Sequence, residues 1–110
     1  MFKPAITGTD VFTPDQVITN DELVEAFNGY ADLMNEKNAD AIAAGEAAPV
    51  PHSSSDFIFQ ASGIEQRYVI DKTGVLDPNI MHPLLPERSD DEISLMAEMA
   101  LDACKNALAQ

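Results

Sequence analysis

Cysteine is almost missing from this sequence, cations are scarce, and no long apolar run occurs. Cys104 is the one cysteine among 110 residues. A single thiol cannot close an internal disulfide, so a secreted disulfide scaffold is excluded and a reducing, cytoplasmic setting is expected. Six Lys and Arg stand against 19 Asp and Glu, for a net charge of −13. Such a surface repels phosphate backbones and anionic lipid, which argues against nucleic acid and membrane as partners. No segment reaches the length of a membrane-spanning helix, and Met1–Thr13 lacks the pattern of a signal peptide. The remaining composition, 45% hydrophobic, is that of one small folded domain with a solvated acidic surface.

Motifs that carry chemistry are missing too. His52 and His82 lie thirty positions apart in proline-flanked loops, outside any H-x-x-x-H or C-x-x-C set, and read as exposed loop histidines. Asp15, Asp21 and Glu22 do not have the spacing of a calcium loop. Phosphate-binding glycine loops and a G-x-S-x-G elbow do not occur. Cys104 falls near the end of a helical stripe, where the dipole disfavours a thiolate, so its role is read as core packing. No catalytic residue and no metal ligand is assigned.

What is present is a series of secondary-structure signals. Ala5–Thr13, rich in β-branched residues and closed by Pro14, reads as a strand, with Gly8 marking a bulge or a close backbone approach. Thr19-Asn20-Asp21-Glu22 is a capping box. Leu23, Phe27, Tyr30 and Met34 follow at helical spacing, and the helix could run to Ala44 and stop at Gly45, with a break near Asn28-Gly29. Ser53-Ser54-Ser55-Asp56 is a second cap, opening a short helix Phe57–Ala61 that Gly63 ends. Ile64–Ile70 reads as a strand, and 71–88 as a proline-rich loop. Ser89–Glu92 is a further capping box. After it Ile93, Met96, Ala97, Ala100, Leu101, Cys104, Ala107 and Leu108 form an apolar stripe. Two strands are too few to bury these helices, and the last helix meets Gln110 without a cap, so an unfinished α/β layer is expected.

Three stretches together resemble the N-terminal region of the 3-oxoacyl-acyl-carrier-protein synthase III family. Ile6-Thr7-Gly8-Thr9, Phe12-Thr13-Pro14 and Val17-Ile18-Thr19-Asn20 with Leu23 look like its opening "GTG…P…TN..L". Ser55-Asp56-Phe57-Ile58 and Ser62-Gly63-Ile64-Glu65-Gln66-Arg67 are similar to its "S-D-E-W-I…R-T-G-I-x-x-R". The helix within Ser89–Ala109 is similar to its alanine-rich helix. Tyr30–His52 and Gly74–Arg88 are longer than in typical members, so insertions are expected at about 30–52 and 74–88, enlarging a substrate-side cap.

The resemblance implies that residues 1–110 are the N-terminal portion of a thiolase-like domain, layered α/β/α/β/α when complete. It implies a homodimeric acyltransferase that condenses an acyl-CoA primer with malonyl-acyl carrier protein. Coenzyme A enters as a thioester substrate, with no permanently bound cofactor. The family's catalytic Cys, His and Asn come later than the matched region, so none is carried over. Phe57 aligns with the family's adenine-stacking tryptophan, Ser62 with a threonine contact, and Ser53 loosely with another hydroxyl contact. Each has a structural alternative: Phe57 as the buried anchor of a short helix, Ser53 as an N-cap. Gly63 is assigned to the turn, and Arg67 to pairing with an acidic residue. Ala61 replaces an arginine of the family, and with the two insertions this points to a medium- or long-chain primer. Two alternatives stay open. One is an acidic binding module of the carrier-protein kind, against which Ser94 follows Ile93 rather than an aspartate and is expected inside a helix. The other is a different thiolase-fold enzyme, hydroxymethylglutaryl-CoA synthase-like or olefin-forming.

Overall fold

A computed structural model describes all residues from Met1 to Gln110. Mixed α/β structure is present, arranged as two compact units: Pro14–Leu85, and Met1–Thr13 with Pro86–Gln110.

The Pro14–Leu85 unit contains β1 (Gln16–Thr19), α1 (Asn20–Lys37), α2 (Ala39–Ala43), α3 (Ser55–Ser62) and β2 (Gln66–Val69). The two strands pair antiparallel, Gln16 opposite Val69 and Thr19 opposite Gln66. Strand β1 runs directly into α1, and Thr19 is the hinge. Its hydroxyl accepts from Glu22 N–H (3.2 Å), while the Glu22 carboxylate accepts from Thr19 N–H (2.9 Å), so the expected capping box forms. Helix α1 does not break at Asn28-Gly29. The Pro78 ring packs over Gly29, 3.0 Å from where a Cβ would sit. The break falls at Asn38, and Gly45, with φ +74°, follows α2 as expected of a helix stop.

Helix α3 is longer than the expected Phe57–Ala61. Its N-cap is Ser54, whose hydroxyl accepts from Phe57 N–H (3.1 Å), and Gly63 ends it in the left-handed region at φ 71°. Strand β2 is shorter than Ile64–Ile70, because only the residues opposite β1 have a ladder to join. Ile18, 1% exposed, and the small residues Ala26 and Ala31 make the core. Asn20 is the buried polar residue beside them, fully engaged. Its N–H donates to the Glu65 carbonyl (3.1 Å), its Nδ2 to the Ile64 carbonyl (2.6 Å), and its Oδ1 accepts from Arg67 Nη2 (2.7 Å). The partner of Arg67 is therefore an amide, not the acidic residue expected, and its Nη1 has no acceptor.

The loop 71–85 is organised by one carboxylate. Asp71 accepts from Leu84 N–H (2.7 Å) and Thr73 N–H (3.1 Å), closing the loop on itself. Gly74 sits where a Cβ would collide with the His82 carbonyl oxygen and lie 2.7 Å from Leu84 Cγ.

In the other unit, Ala5–Thr13 is not a strand. It has no strand beside it, and a ladder needs two. Gly8 does mark a close approach: a Cβ there would collide with the Ala107 carbonyl oxygen. Helix α4 (Leu95–Leu108) begins later than expected, at the N-cap Ser94, whose hydroxyl accepts from Ala97 N–H (3.2 Å). Only half of the expected capping box at Ser89–Glu92 forms: the Glu92 carboxylate accepts from Ser89 N–H (3.0 Å), but Glu92 N–H donates to the Ser89 carbonyl (3.0 Å) rather than its hydroxyl, and no α-helix follows directly. The expected stripe is turned outward. Met96, Leu101 and Leu108 are exposed, and of that stripe only Ala107 is partly covered. The half-buried face carries Leu95, Met99, Ala103 and Ala107, on the side that Gly8 approaches. Cys104 is exposed, so it is not the core residue its place on the stripe suggested.

No helix is long and apolar enough to cross a membrane.

Candidate functional site

Two adjoining cavities of the Pro14–Leu85 unit lie between α1, α3 and the chain that enters α3. Their position follows from a polar ladder along α1. Asn28, Asp32 and Asn35 are spaced four and then three residues apart, so they share one face of the helix. Asn35 accepts from Val50 N–H (2.7 Å) and donates to the Val50 carbonyl (3.0 Å). Asn28 treats Ser53 in the same way, at 2.8 and 3.2 Å. Between them Asp32 Oδ1 lies 2.6 Å from His52 Nε2. Val50–Ser53 is thus fastened along α1 through its backbone, as a strand would be. Ser55 Oγ donates to Asp21 Oδ1 and pins the start of α3 to α1.

Two adjoining cavities result. The larger, about 550 Å³, is lined by Phe27, Pro51, His52, Ser53, Ser54 and Phe57. The smaller, about 240 Å³, is lined by Leu23, Val24, Phe27, Ser53, Ile58 and Met81. Phe27 and Ser53 belong to both. The Phe27 ring lies 6.3 Å from that of Tyr30, at an interplanar angle of 41°. A third cavity, about 390 Å³, opens between α1 and the 71–85 loop at Glu22, Glu25, Ala26, Leu76 and Pro78.

The fold brings Phe57 and Ser53 to one wall. Phe57 is 66% exposed, so it is not the buried anchor that a short helix suggested, and it lines the larger cavity. Ser53 is not an N-cap, since Ser54 has that role, and both backbone groups of Ser53 are held by Asn28. Ser62 is not brought to the cavity. Its hydroxyl donates to the Ile58 carbonyl (2.7 Å) and accepts from Ile64 N–H (3.2 Å), closing the end of α3. His52 is not a free loop histidine, given its contact with Asp32.

The arrangement suits binding rather than bond-making. The Ser54 hydroxyl is engaged by Phe57 N–H, not by the His52 imidazole, so the His52–Asp32 pair is not extended to a nucleophile. No Lys or Arg lines either of the two adjoining cavities. No cluster of three or more His, Cys, Asp or Glu side chains is placed to hold a metal ion. The two carboxyls that are clearly perturbed stand outside these walls. Glu22 is lowered chiefly by the Thr19 N–H it accepts, then by Lys72, whose Nζ is 3.1 Å away. Asp71 is lowered chiefly by the Leu84 N–H.

The polar ladder was not anticipated from sequence. Its signal was there, as Asn, Asp and Asn at i, i+4 and i+7, but the partner was a backbone segment that only the fold brings near.

No known protein-family model matches the chain. Over 85 residues the sequence is 49% identical to the beta-ketodecanoyl-[acyl-carrier-protein] synthase of Pseudomonas aeruginosa. That match covers 77% of this chain and 24% of the relative, so the chain spans about a quarter of the length of the curated relative it matches. The relationship is to a beta-ketoacyl-acyl-carrier-protein synthase.

Proposed function

We propose, starting from that relationship, that these residues are the N-terminal portion of a synthase III-type condensing enzyme with a thiolase-like fold. A primer acyl group passes from its coenzyme A thioester to a cysteine of the enzyme, releasing the coenzyme A thiol. Malonyl-acyl carrier protein then loses carbon dioxide, and the resulting carbanion attacks the acyl-cysteine thioester. The product is 3-oxoacyl-carrier protein, and the cysteine thiol is restored. The cysteine, histidine and asparagine for these steps are assigned downstream of the matched region. Cys104, exposed near the end of α4, is not among them. Acyl-CoA and acyl carrier protein are the partners, and the working form is a homodimer.

The observation that carries this reading is the 49% identity over 85 residues. The exposed Phe57 ring and the fixed Ser53 supply a wall on which an adenine can stack, at a strength of the order of 1 kcal/mol. Such a stack works without a neighbouring guanidinium, in keeping with Ala61 on the same helix. A medium-chain primer follows from the relative's name: a ten-carbon 3-oxo product made by a two-carbon extension starts from an eight-carbon primer.

The test is a condensation assay on the protein that carries this chain, with malonyl-carrier protein and either octanoyl- or acetyl-CoA. Formation of 3-oxodecanoyl-carrier protein with loss of carbon dioxide is expected. Strong preference for acetyl-CoA would sink the medium-chain assignment, and no condensation with any primer would sink the reading itself. The intact mass of the denatured source protein belongs with this assay. A species several times heavier than 11.9 kDa is expected.

One observation favours a second reading. Ser94 is not inside a helix but caps one, which is where a carrier protein presents its modified serine. The residue before it is Ile93, not the aspartate such a site needs, and this ranks the carrier reading second. A phosphopantetheine adduct on Ser94, found by mass spectrometry, would reverse the order.

A further inference from the structure

Helix α4 is apolar round most of its circumference. Its polar residues, Glu98, Asp102, Lys105 and Asn106, are spaced i, i+4, i+7 and i+8, so they form one narrow strip. A helix with so little polar surface is built to be covered on more than one side. One side is half covered, along Leu95, Met99 and Ala103. The side next to it is bare: Ile93, Met96, Ala97, Ala100, Leu101 and Cys104 are exposed, Met96 at 81%. Ala97, Ala100 and Cys104 run between the larger Met96 and Leu101, so the bare side is a shallow groove that a neighbour can approach closely. A second unsatisfied element lies against the same helix. Residues 5–13 have the β-branched composition of a strand and no ladder partner. Ile6 and Val11 are exposed, while Gly8 and Thr9 meet the end of α4 at the Ala107 carbonyl and the Gln110 side chain.

We infer that the bare face of α4 is the docking surface for a β-sheet layer contributed by the same polypeptide after Gln110, and that residues 6–11 join that layer as one of its strands. The inference rests on the reading of these residues as the N-terminal portion of a larger enzyme, and adds to it the surface that the remainder meets. Three observations single out this occupant. A sheet supplies at once the backbone partners that residues 6–11 lack and the apolar cover that α4 lacks, whereas a helix supplies only the second. Chain enough exists in the relative, since the match covers 24% of it and leaves about three quarters of its length outside. A second copy is the poorer fit, because each chain brings a net charge of −13, and like charges oppose the contact of two identical surfaces.

The test is made on the protein that carries this chain. Cys104 lies in the groove and reports on its cover. Its alkylation by iodoacetamide, followed by peptide mass spectrometry, is expected to be more than about tenfold slower in the native than in the urea-unfolded protein. A smaller slowing would overturn the docking. Amide exchange is the second readout: residues 6–11 should show protected amides, and exchange at the intrinsic rate throughout would overturn the strand. The occupant is identified by p-benzoylphenylalanine in place of Met96 and irradiation. A cross-link to a peptide beyond Gln110, at the denatured mass of a single chain, is expected. A product of doubled mass would assign the face to a second copy, and a cross-link within residues 1–110 would leave it no new partner; either overturns the inference. Condensation activity is scored separately. An active enzyme with a freely reactive Cys104 overturns the docking and leaves the condensing-enzyme reading standing, whereas a total denatured mass of 11.9 kDa overturns both.

Discussion

Asn28 holds Ser53 by both backbone polar groups, accepting from its N–H at 2.8 Å and donating to its carbonyl at 3.2 Å. The side-chain amide of one helix residue thereby does for the entry to α3 what a neighbouring strand would do, and it fixes the wall on which Phe57 stands. Replacing it should show how much the site depends on that clamp. Asn28→Ala removes two hydrogen bonds worth about 1 kcal/mol each net, so a loss of about 1–3 kcal/mol in unfolding free energy is expected. Urea denaturation measures the loss, and faster exchange of the Ser53 amide would locate it. An unchanged Ser53 amide would mean that Asn35 and Asp32 suffice.

Gly74 is the tightest point of the 71–85 loop. Gly74→Ala places a methyl against the His82 carbonyl oxygen and Leu84 Cγ, and one of them is backbone. A destabilisation of about 1–3 kcal/mol is expected. Gly45→Ala is the companion measurement: its φ of +74° is unfavourable for alanine by about 1–2 kcal/mol, yet no atom stands within 4 Å of the added methyl. The two variants separate collision from backbone strain.

The same loop should respond to acid. The folded value of Asp71 lies below its ordinary one, because Leu84, Thr73 and Gly74 N–H groups favour the carboxylate. The stabilisation is therefore present above the ordinary aspartate range, about pH 3.9, and is lost as pH falls through the lowered folded value. Glu22, lowered by Thr19 N–H and Lys72, adds a change of the same sign at the start of α1. The protection factor of the Leu84 amide, its exchange measured against the intrinsic rate at each pH, should fall as pH drops through that window. Asp71→Asn should abolish the pH dependence and leave the loop loose throughout; a pH dependence that persists in Asp71→Asn would assign it elsewhere.

Phe57 distinguishes a ligand role from a structural one. At 66% exposure its ring adds little to the core. Phe57→Ala should change unfolding free energy by about 0.5 kcal/mol or less, while weakening coenzyme A binding several-fold. Phe57→Trp should strengthen it by widening the stacking face. A large stability loss in Phe57→Ala with unchanged binding would return the residue to a packing role.

The features that sequence by itself determined are those whose partners lie within about four residues. The Thr19–Glu22 capping box opens α1 as expected, and Gly63 and Gly45 end helical turns with positive φ. Gly8 is a mixed case: a residue without Cβ signals a close backbone approach, but the partner, the Ala107 carbonyl, lies far along the chain and is supplied by the fold. Other features were decided by tertiary structure. Ala5–Thr13 has the composition of a strand, but Gln16–Thr19 forms one because β2 lies opposite it, some fifty residues away in the chain. The apolar stripe of α4 lies at helical spacing, yet Leu95, Met99 and Ala103 are its more covered side, since burial depends on what approaches and not on which face is most apolar. Asn28, Asp32 and Asn35 read as an ordinary polar face until Val50–Ser53 is laid along them. Caps and turns are short-range hydrogen bonds and steric rules, written in adjacent residues. Ladders, cavities and the side of a helix that is buried are set by residues far apart in the chain, and periodicity alone does not name them.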